Sequence, residues 1–364
     1  MNDLDGIGAS RAATAYAPGR VELLGNHTDY NKGVVLGAAI DRGVTVKGHS
    51  LNNGIIRLTA GTFGSVEVRE SKLRPLTTNR WANYALGVVR ELMDLGIPIR
   101  GFAAEISGNV PIGAGLSSSA AFELATALFL LKIYPGEVVL LQIAKACQRA
   151  EHRFAGVESG LLDQVTSLFG IADHAVFFDC RSEEVRTVPF PPGLALIIAE
   201  SGKTRDLGGS NYNIRQKQTL EAASMLGVDS LRDVSPEDLT DLPDEIGRRA
   251  LHVVEENERV WRAMELLESG DGAGLGRLMN ASHESSRLNF ENSSPELDLL
   301  VSIAHQLPGV LGSRLTGAGF GGATVTLCER SVAEQTASEL FRSYNNESGV
   351  KAKVYVSRIA NGAS

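Results

Sequence analysis

Apolar residues recur along the chain with two different periods, which predicts a mixture of strands and helices. Alternating or short apolar runs predict strands at 44–50, 55–59, 64–69, 99–107, 323–327 and 350–356, with further short strands, interrupted by prolines, between 175 and 199. Helical spacing predicts helices at 81–95, 120–133, 137–154, 210–226, 246–267, 273–290 and 332–344. The Asn53-Gly54 pair between the first two strands favours a tight hairpin turn that joins them.

This order of elements is typical of an α+β fold, and we expect two lobes that share one interface, with a cleft between them. We divide the chain near residue 190, into an N-terminal lobe of residues 1–190 and a C-terminal lobe of residues 191–364. The sequence contains no internal repeat and no low-complexity segment that would indicate a different organisation.

Composition and charge narrow the function. The 364 residues include 35 Lys and Arg against 43 Asp and Glu, a net charge of -8, without the basic runs that nucleic-acid binding requires. The most apolar stretch, 124–131, is too short to span a bilayer, and no signal-peptide pattern is present. Cys147, Cys180 and Cys328 are too few and too scattered for a disulfide framework. We therefore expect a cytosolic, monomeric protein that binds small molecules rather than nucleic acid or a membrane.

A loop of small residues, PIGAGLSSSAA at 111–121, lies between a predicted strand and an apolar helix. Its backbone N–H groups would face outward at a helix N-terminus, which is an anion-binding arrangement, and the Ser119 hydroxyl could reach a metal ion carried by a phosphate. A plain strand-to-helix connection is the alternative. Residues 317–322, GAGFGG, match a dinucleotide fingerprint but lead into a strand, which excludes a Rossmann site; a tight, close-packed turn is the alternative to a functional loop.

Polar side chains are concentrated in a glycine-punctuated segment at 17–33, which includes Arg20, Asn26, His27 and Asp29. We expect this segment to be a loop, because loops usually carry such groups. Its alternating donors and acceptors would suit a polyhydroxylated ligand, and a solvated turn is the alternative. Asp163 follows a predicted helix and could be an N-cap of the next one.

Three segments together resemble the GHMP small-molecule kinase family, and within it the galactokinase branch. They are 19–30, 111–121 and 312–322, and His27-Thr28-Asp29-Tyr30 in the first is specific to that branch. Weaker matches lie at 81–84, 160–164, 209–215 and 282–298, so the resemblance covers nearly the whole chain in order.

The resemblance implies a two-lobed GHMP kinase-like fold with the active site in the cleft, and ATP-dependent phosphorylation of galactose at its anomeric C1 hydroxyl. Asp163 would accept the proton of that hydroxyl, with Arg20 beside it. The implied sugar pocket consists of Asn26, His27, Asp29, Gly160 and Tyr212. Residues 317–322 would form the floor of the site.

The resemblance also implies a nucleotide site with ATP and Mg²⁺. Trp81 and Tyr84 would border the adenine, and Ser119 and Glu151 would hold the metal ion. The triphosphate would lie on the glycine-serine loop, formed by Gly113, Ala114, Gly115, Leu116, Ser117, Ser118 and Ser119. This allocation suits phosphoryl transfer, which depends on positioning and on neutralising charge rather than on a covalent nucleophile.

The chain departs from the galactokinase signature at two positions, because Glu22 stands where the family has Asn and Asn26 where it has Glu. In the family that Glu accepts a hydrogen bond from the sugar's C6 hydroxyl, so galacturonate, L-arabinose or fucose are alternative substrates. The two residues could instead have exchanged a local hydrogen bond, and we expect galactose. A non-catalytic sugar sensor agrees less well with the sequence than an enzyme does, because the serine loop, Arg20 and Asp163 are all present.

Overall fold

The structure is a computed structural model, and it describes residues 10–203 and 210–364. Gly209, the first residue of the weaker match at 209–215, lies outside the described residues. The strands are β1 (Ala12–Leu24), β2 (Val34–Ser50), β3 (Ile55–Ala60), β4 (Gly64–Arg69), β5 (Phe102–Gly108), β6 (His174–Asp179), β7 (Val185–Pro189), β8 (Leu194–Glu200), β9 (Val310–Thr316), β10 (Ala323–Glu329) and β11 (Lys353–Ser357). The α-helices are α1 (Asn83–Asp94), α2 (Ser118–Ile133), α3 (Leu140–Ala150), α4 (Leu162–Phe169), α5 (Ser210–Met225), α6 (Asp244–Ser269), α7 (Gly272–Ser285), α8 (Pro295–His305) and α9 (Ala333–Ser348).

The first sheet has the strand order β4-β3-β5-β2-β6-β7, and β1 pairs with β2 in addition. The predicted hairpin between the strands at 44–50 and 55–59 is wrong. Asn52 and Gly54 do have positive φ, but β5 lies between the two strands, antiparallel to β2 and parallel to β3. A turn motif determines only the local backbone conformation. The strand β5 occupies the position between β2 and β3, where the hydrogen bonds of the hairpin would have formed.

The second sheet is antiparallel, with the order β11-β8-β10-β9. Side chains of β8 alternate between two cores, as expected for a strand that is covered on both faces. Leu196 and Ile198 belong to the large core that also contains the first sheet and α1 to α4, whereas Ile197 packs with α8 and α9. The large core therefore joins the two sheets, which confirms the α+β architecture.

The chain passes from the first sheet to the second between Pro189 and Leu194, close to the proposed lobe boundary. Its C-terminal residues then return to the first sheet, where Ser364 and Tyr16 exchange two backbone hydrogen bonds of 2.8 Å. The division at residue 190 stays a prediction. Cys147 and Cys328 are buried free thiols, and Cys180 is half-buried.

The polar segment at 17–33 is not entirely a loop. Arg20 and Glu22 lie on β1, in a stretch that is buried from Ala15 onward except for the half-buried Tyr16. Only the part after Leu24 is a turn, which includes a short 3₁₀ helix at Asp29–Asn31. The sequence alone could not separate the buried strand from the turn that follows it, because charged residues such as Arg20 and Glu22 rarely occupy a buried strand unless they are paired.

Among the described residues, no helix is both long and apolar enough to cross a membrane. The longest helix, α6, carries a polar face along its whole length. The helix α2, by contrast, is buried on nearly every face, which brings its N-terminus into the interior of the protein.

Candidate active site

A cavity of about 540 Å³ lies where the first turn of α2, the polar turn after β1 and the start of α8 meet. Its lining combines residues of the glycine-serine loop with residues of the polar segment. The lining residues are Arg20, Glu22, Asn26, His27, Asp29, Tyr84, Gly113, Gly115, Leu116, Ser117, Ser118, Ser119, Glu151, Val157, Ser159, Gly160, Leu162, Asp163, Lys203, Asn211, Tyr212, Ser293, Ser294, Pro295, Gly317, Ala318, Gly319 and Phe320.

The glycine-serine loop is fixed against β1 by a close backbone approach. The Arg20 amide donates to the Leu116 carbonyl at 3.1 Å, and a Cβ at Gly19 would lie 2.5 Å from that same oxygen. Only glycine fits at position 19, so the sequence Gly19-Arg20 lets the loop dock on the strand. The loop then turns at Ser117, which has a φ of 58°, and α2 begins at Ser118.

Asp163 lies at the centre of the site, between the loop and β1. Its Oδ1 accepts from Arg20 Nε at 2.8 Å and from a second Arg20 nitrogen, and its Oδ2 accepts from the Ser117 hydroxyl at 2.5 Å. The remaining Arg20 nitrogen donates to the Gly115 carbonyl at 2.6 Å. Arg20 is 4% exposed and the Asp163 side chain 26%, so the arginine is fixed and the carboxylate is accessible from the cavity.

Asp163 does not cap its helix, because the N-cap of α4 is Leu161 and Asp163 lies within the first turn. The interpretation of Asp163 as a simple N-cap is therefore wrong. The side chain faces Arg20 and Ser117 instead, which are contributed by β1 and by the loop before α2.

Asp29 forms a second acidic position in the cavity, in contact with Gly160. A Cβ at Gly160 would lie 1.7 Å from Asp29 Oδ2, so no other residue fits there without moving the carboxyl group. Burial, followed by the charges of Glu22 and Asp163, raises the pKa of Asp29 to about 7. The site therefore holds a carboxyl group that titrates near neutral pH.

Asn26 and His27 line the cavity, but their polar atoms are already hydrogen-bonded within the protein. The Asn26 amide donates to Glu22 Oε1 and to the Gly317 carbonyl, each at 2.8 Å, and its oxygen accepts from Asn292 at 2.8 Å. His27 Nε2 faces the Ala318 carbonyl at 3.1 Å and Nδ1 faces the Tyr30 hydroxyl at 2.7 Å. Both side chains thus join the polar turn to the floor loop at 317–322.

Glu22 is a cavity-lining carboxylate outside the set of expected site residues. It is 3% exposed, accepts from Asn26 and pairs with the fully buried Arg314 of β9 at 3.0 Å. Burial raises its pKa, and the charges of Arg314 and Arg20 act in the opposite direction. The Glu22–Asn26 hydrogen bond agrees with the idea of a local exchange between the two departing positions.

Ser119 and Glu151 bring two oxygen ligands to one wall. Ser119 hydrogen-bonds the Glu151 carboxylate, which also accepts from the Ser159 hydroxyl at 2.5 Å. The Gln164 amide lies between Glu151 Oε2 (3.4 Å) and the buried Glu123 (3.2 Å). In the described ranges, no cluster of three or more His, Cys, Asp or Glu residues could hold a metal ion alone, so a cation here would need ligands from a substrate as well.

The two expected adenine neighbours differ in position. Tyr84 lines the cavity, and burial, followed by the charges of Glu151 and Glu123, raises its pKa to about 12. Trp81 is not among the lining residues; it packs near Phe63 and Phe122, with ring centroids 6.3 Å away in each case. Ala114 is likewise absent from the lining, whereas the expected Tyr212 is present.

The segment Ser293-Ser294-Pro295 also lines the cavity; it lies within the weaker match at 282–298 but was not among the expected site residues. Ser294 is the N-cap of α8 and accepts from the Leu297 amide, with proline in the first turn. Ser-Pro before an apolar helical pattern is a known helix-start signal, and it could have revealed α8. Lys203 and Asn211, also on the rim, carried no such signal.

The fold and the site define the class of protein. The chain matches the family model of the GHMP kinases N terminal domain at residues 83–171 and that of the GHMP kinases C terminal at 263–346. A crystal structure of mevalonate kinase superposes with a TM-score of 0.68 at 20% identity, over 96% of this chain and 99% of that one, which shows the fold alone. The protein is a GHMP kinase.

A third model, the galactokinase galactose-binding signature, matches residues 6–48. Galactokinase from Bos taurus is 42% identical over 99% of this chain and 94% of its own length, and that from Roseiflexus sp. (strain RS-1) is 41% identical over 95% and 91%. The structure of Lactococcus lactis galactokinase complexed with galactose superposes with a TM-score of 0.93 at 32% identity, over 97% of this chain and 95% of that one. The chain belongs to the galactokinase family of sugar kinases.

Proposed function

We propose that the protein transfers the γ-phosphoryl group of ATP to the C1 hydroxyl of galactose, giving galactose 1-phosphate and ADP. The observation that carries this proposal is the position of Asp163. It touches the glycine-serine loop through Ser117 and β1 through Arg20, and its carboxylate opens into a cavity that both segments line. A base between a phosphate loop and a polyol site is what a sugar kinase needs.

In the proposed reaction Asp163 accepts the proton of the C1 hydroxyl as its oxygen attacks the γ-phosphorus. The bond from that phosphorus to the bridging oxygen breaks, and ADP leaves. Arg20 holds Asp163 in place through two hydrogen bonds and offsets negative charge near the transferred group. Because the Arg20 guanidinium is almost fully buried, little reorganisation is needed during the reaction.

The sugar would occupy the part of the cavity near Asp29, Gly160 and Tyr212, with Asn26 and His27 behind it. Asp29 would accept from a sugar hydroxyl, which requires the ionised form of a group whose pKa is about 7. Tyr212 lies against His27 with ring centroids 5.1 Å apart, and would cover an apolar face of the sugar ring. Asn26 and His27 would act mainly by fixing the shape of the pocket, because their polar atoms already have protein partners.

The nucleotide would place its triphosphate along Gly113 to Ser119, where the N-terminus of α2 offers backbone N–H groups. Ser119 and Glu151 would hold Mg²⁺, since a hydroxyl and a carboxylate are hard oxygen ligands of the type that this ion prefers. When bound, the ion would neutralise charge on the β- and γ-phosphates. Tyr84 would border the adenine, and Trp81 would support that wall from behind.

The contacts of Asn26 weaken the argument for galacturonate, L-arabinose or fucose as the substrate. The Asn26 amide, which could have received a C6 acid, is hydrogen-bonded to Glu22, Gly317 and Asn292. A uronic acid would also add a negative charge to a cavity that Glu22, Asp29 and Asp163 already line. The Bos taurus and Roseiflexus relatives, which match along nearly the whole chain, are galactokinases, and this agrees with galactose.

The test is identification of the product after incubation with MgATP and a mixture of galactose, galacturonate, L-arabinose and fucose. We expect galactose 1-phosphate as the main product. A tenfold preference for one of the other three sugars would overturn the choice of galactose. The Asp163→Asn variant, purified in the same way, controls for a contaminating kinase. A cytosolic location and a monomeric state stay predictions, which fractionation and light scattering can check.

A further inference from the structure

The polar turn at residues 25–34, here called the sugar-site turn, is closed on itself by one side chain. The Thr28 hydroxyl donates to the Gly25 carbonyl at 2.8 Å and lies 2.7 Å from the Val34 carbonyl. The Gly33 amide also donates to the Thr28 carbonyl at 2.9 Å. The sugar-site turn, which carries Asn26, His27 and Asp29, is therefore cross-linked internally by these hydrogen bonds.

Both ends of the sugar-site turn are attached to α6. Glu256 Oε1 accepts from the Gly25 amide at 3.0 Å and from the Asn26 amide at 3.2 Å. Asn257, the next residue of α6, accepts from the Val34 amide at 2.9 Å through Oδ1. His252, one helical turn earlier, faces the Asn26 carbonyl at 3.1 Å through Nε2. Three residues on one face of a helix thus satisfy backbone groups at both ends of the turn.

Glu256 is itself held in an ionised, fully buried state. Burial alone would raise its pKa, but the charges of Arg259 and Arg314 outweigh that effect and the pKa lies below its usual range. Arg259 Nε donates to Glu256 Oε2 at 2.6 Å, and the Ser282 hydroxyl donates to Oε1 at 2.6 Å. A buried carboxylate with this many donors gives directional, charge-assisted bonds to the Gly25 and Asn26 amides.

His252 completes the attachment as a neutral ring. Burial lowers its pKa to about 3, so it carries no charge at neutral pH. Nε2 must carry the proton, because its partner is a carbonyl that can only accept. Nδ1 is then the acceptor for the Ser285 hydroxyl, 2.9 Å away.

We propose that His252, Glu256 and Asn257 are positioning residues, which hold the sugar-site turn from behind and thereby set the affinity of the enzyme for its sugar without touching it. None of the three is among the residues that line the cavity, and all are buried. The inference rests on the proposed function only in that the sugar binds against this turn. The proposed nucleotide site at the start of α2 does not include these contacts. We therefore expect the affinity for ATP to stay unchanged when these three residues are substituted.

The experiment compares Glu256→Gln and Glu256→Leu with the matched control Glu255→Gln. Glu255 is the neighbouring half-exposed residue, which pairs with Arg259 at 3.2 Å and has no hydrogen bond to the turn. Three quantities are measured for each folded variant: the KM for galactose, the KM for ATP, and the hydrogen exchange, without sugar, of peptides that contain residues 25–34.

We expect Glu256→Gln, which keeps an acceptor but no charge, to raise the galactose KM about tenfold, and Glu256→Leu to raise it further. The ATP KM should stay within about twofold, and exchange in residues 25–34 should be faster than in the control. Equal rises in both KM values, or unchanged exchange and galactose KM in Glu256→Gln, would overturn the proposal. Asn257→Ala, which removes the acceptor for Val34, decides the same question if the Glu256 variants do not fold.

Failure of the proposed function would look different. A wild-type enzyme that does not phosphorylate galactose would overturn the substrate assignment, and the KM comparison would then use the sugar that the product assay identifies. The exchange measurement needs no sugar, so it tests the attachment of the turn in either case.

Discussion

Replacing Asp29 by Asn should stabilise the unliganded protein, although it should impair the reaction. Asp29 is placed in the cavity beside Glu22 and Asp163, and burial together with those charges raises its pKa from 3.8 to about 7. The folded protein therefore pays a free-energy penalty whenever this carboxyl is ionised. The neutral amide of Asn has nearly the same shape and does not carry that penalty.

The sign and size follow from the difference between the folded and unfolded states. A carboxyl whose pKa is raised on folding binds a proton more readily in the folded state, so its contribution favours folding at low pH and is lost as the pH rises from about 4 through 7. Relative to a group that does not titrate, the penalty is roughly 1.7 kcal/mol at pH 5 and roughly 4 kcal/mol at pH 8. The stabilisation by Asp29→Asn should thus grow by about 2.5 kcal/mol between those two pH values.

The assay is urea unfolding of the wild type and Asp29→Asn without sugar or nucleotide, at pH 5 and pH 8. Asp241→Asn, at an exposed position away from the cavity, is the control and should show no such growth. Galactose turnover of Asp29→Asn should fall most above pH 7, where the wild-type carboxyl is ionised and serves as the charged acceptor for the sugar. Stabilisation that is equal at both pH values, or larger at pH 5, would refute the argument that burial and neighbouring charge control this carboxyl.

Three further predictions concern the reaction itself. Asp163→Asn should reduce galactose turnover by ~10² to 10⁴, as expected for loss of a general base, and steady-state kinetics showing more than about a tenth of wild-type turnover would contradict that role. Gly160→Ala should abolish saturation with galactose in initial-rate assays while nucleotide binding by calorimetry persists, because its Cβ would lie 1.7 Å from Asp29 Oδ2; normal galactose kinetics would disprove this packing argument. Glu151→Gln should weaken Mn²⁺ binding to the enzyme–ADP complex about tenfold by paramagnetic resonance, and unchanged binding would remove Glu151 from the metal site.

Strand and helix types were predictable where one period dominates a long segment. The helices at 120–133 and 246–267 correspond to α2 and α6, and the strand at 64–69 is β4. The helix α6 has a long amphipathic pattern, whereas α2 is a continuous apolar run that is buried on nearly every face, so the packing of both agrees with the local preference. The helix α4 was expected only through its start near Asp163, and the strand β9 was not predicted, because each is short and its apolar residues fit either period.

The pairing of strands and of charged side chains that lie far apart in the chain could not be predicted from the sequence. The strand β5 separates β2 from β3, although a turn signal joins the two in the chain, and this arrangement depends on residues about 50 positions apart. The burial of Arg20 and Glu22 on β1 depends on partners even more distant, Asp163 and Arg314. Local composition indicated a loop because nothing nearby in the chain could neutralise those charges.

For the site, motif resemblance predicted which residues meet, and the structure shows how their hydrogen bonds are used. Asp163, Arg20 and the glycine-serine loop do come together. The hydrogen bonds of Asn26 and His27 to the floor loop were not predictable. Their partners are the backbone carbonyl groups of Gly317 and Ala318, which any residue type would provide. A hydrogen bond to a backbone carbonyl group cannot be inferred from the residue type that carries the carbonyl.

The charge of the cavity bears on how a polyphosphate can bind there at all. Among the described lining residues four are carboxylic acids, Glu22, Asp29, Glu151 and Asp163, whereas only Arg20 and Lys203 are cationic. Arg20 is committed to Asp163, and Lys203 lies on the rim near Glu296 at 3.4 Å. The side chains described here therefore offer a triphosphate little electrostatic attraction, so the proposed nucleotide position relies on the backbone amides at the start of α2 and on the proposed Mg²⁺, which Ser119 and Glu151 would hold. This balance of charge supports the proposed Mg²⁺ site independently of the resemblance that first suggested it.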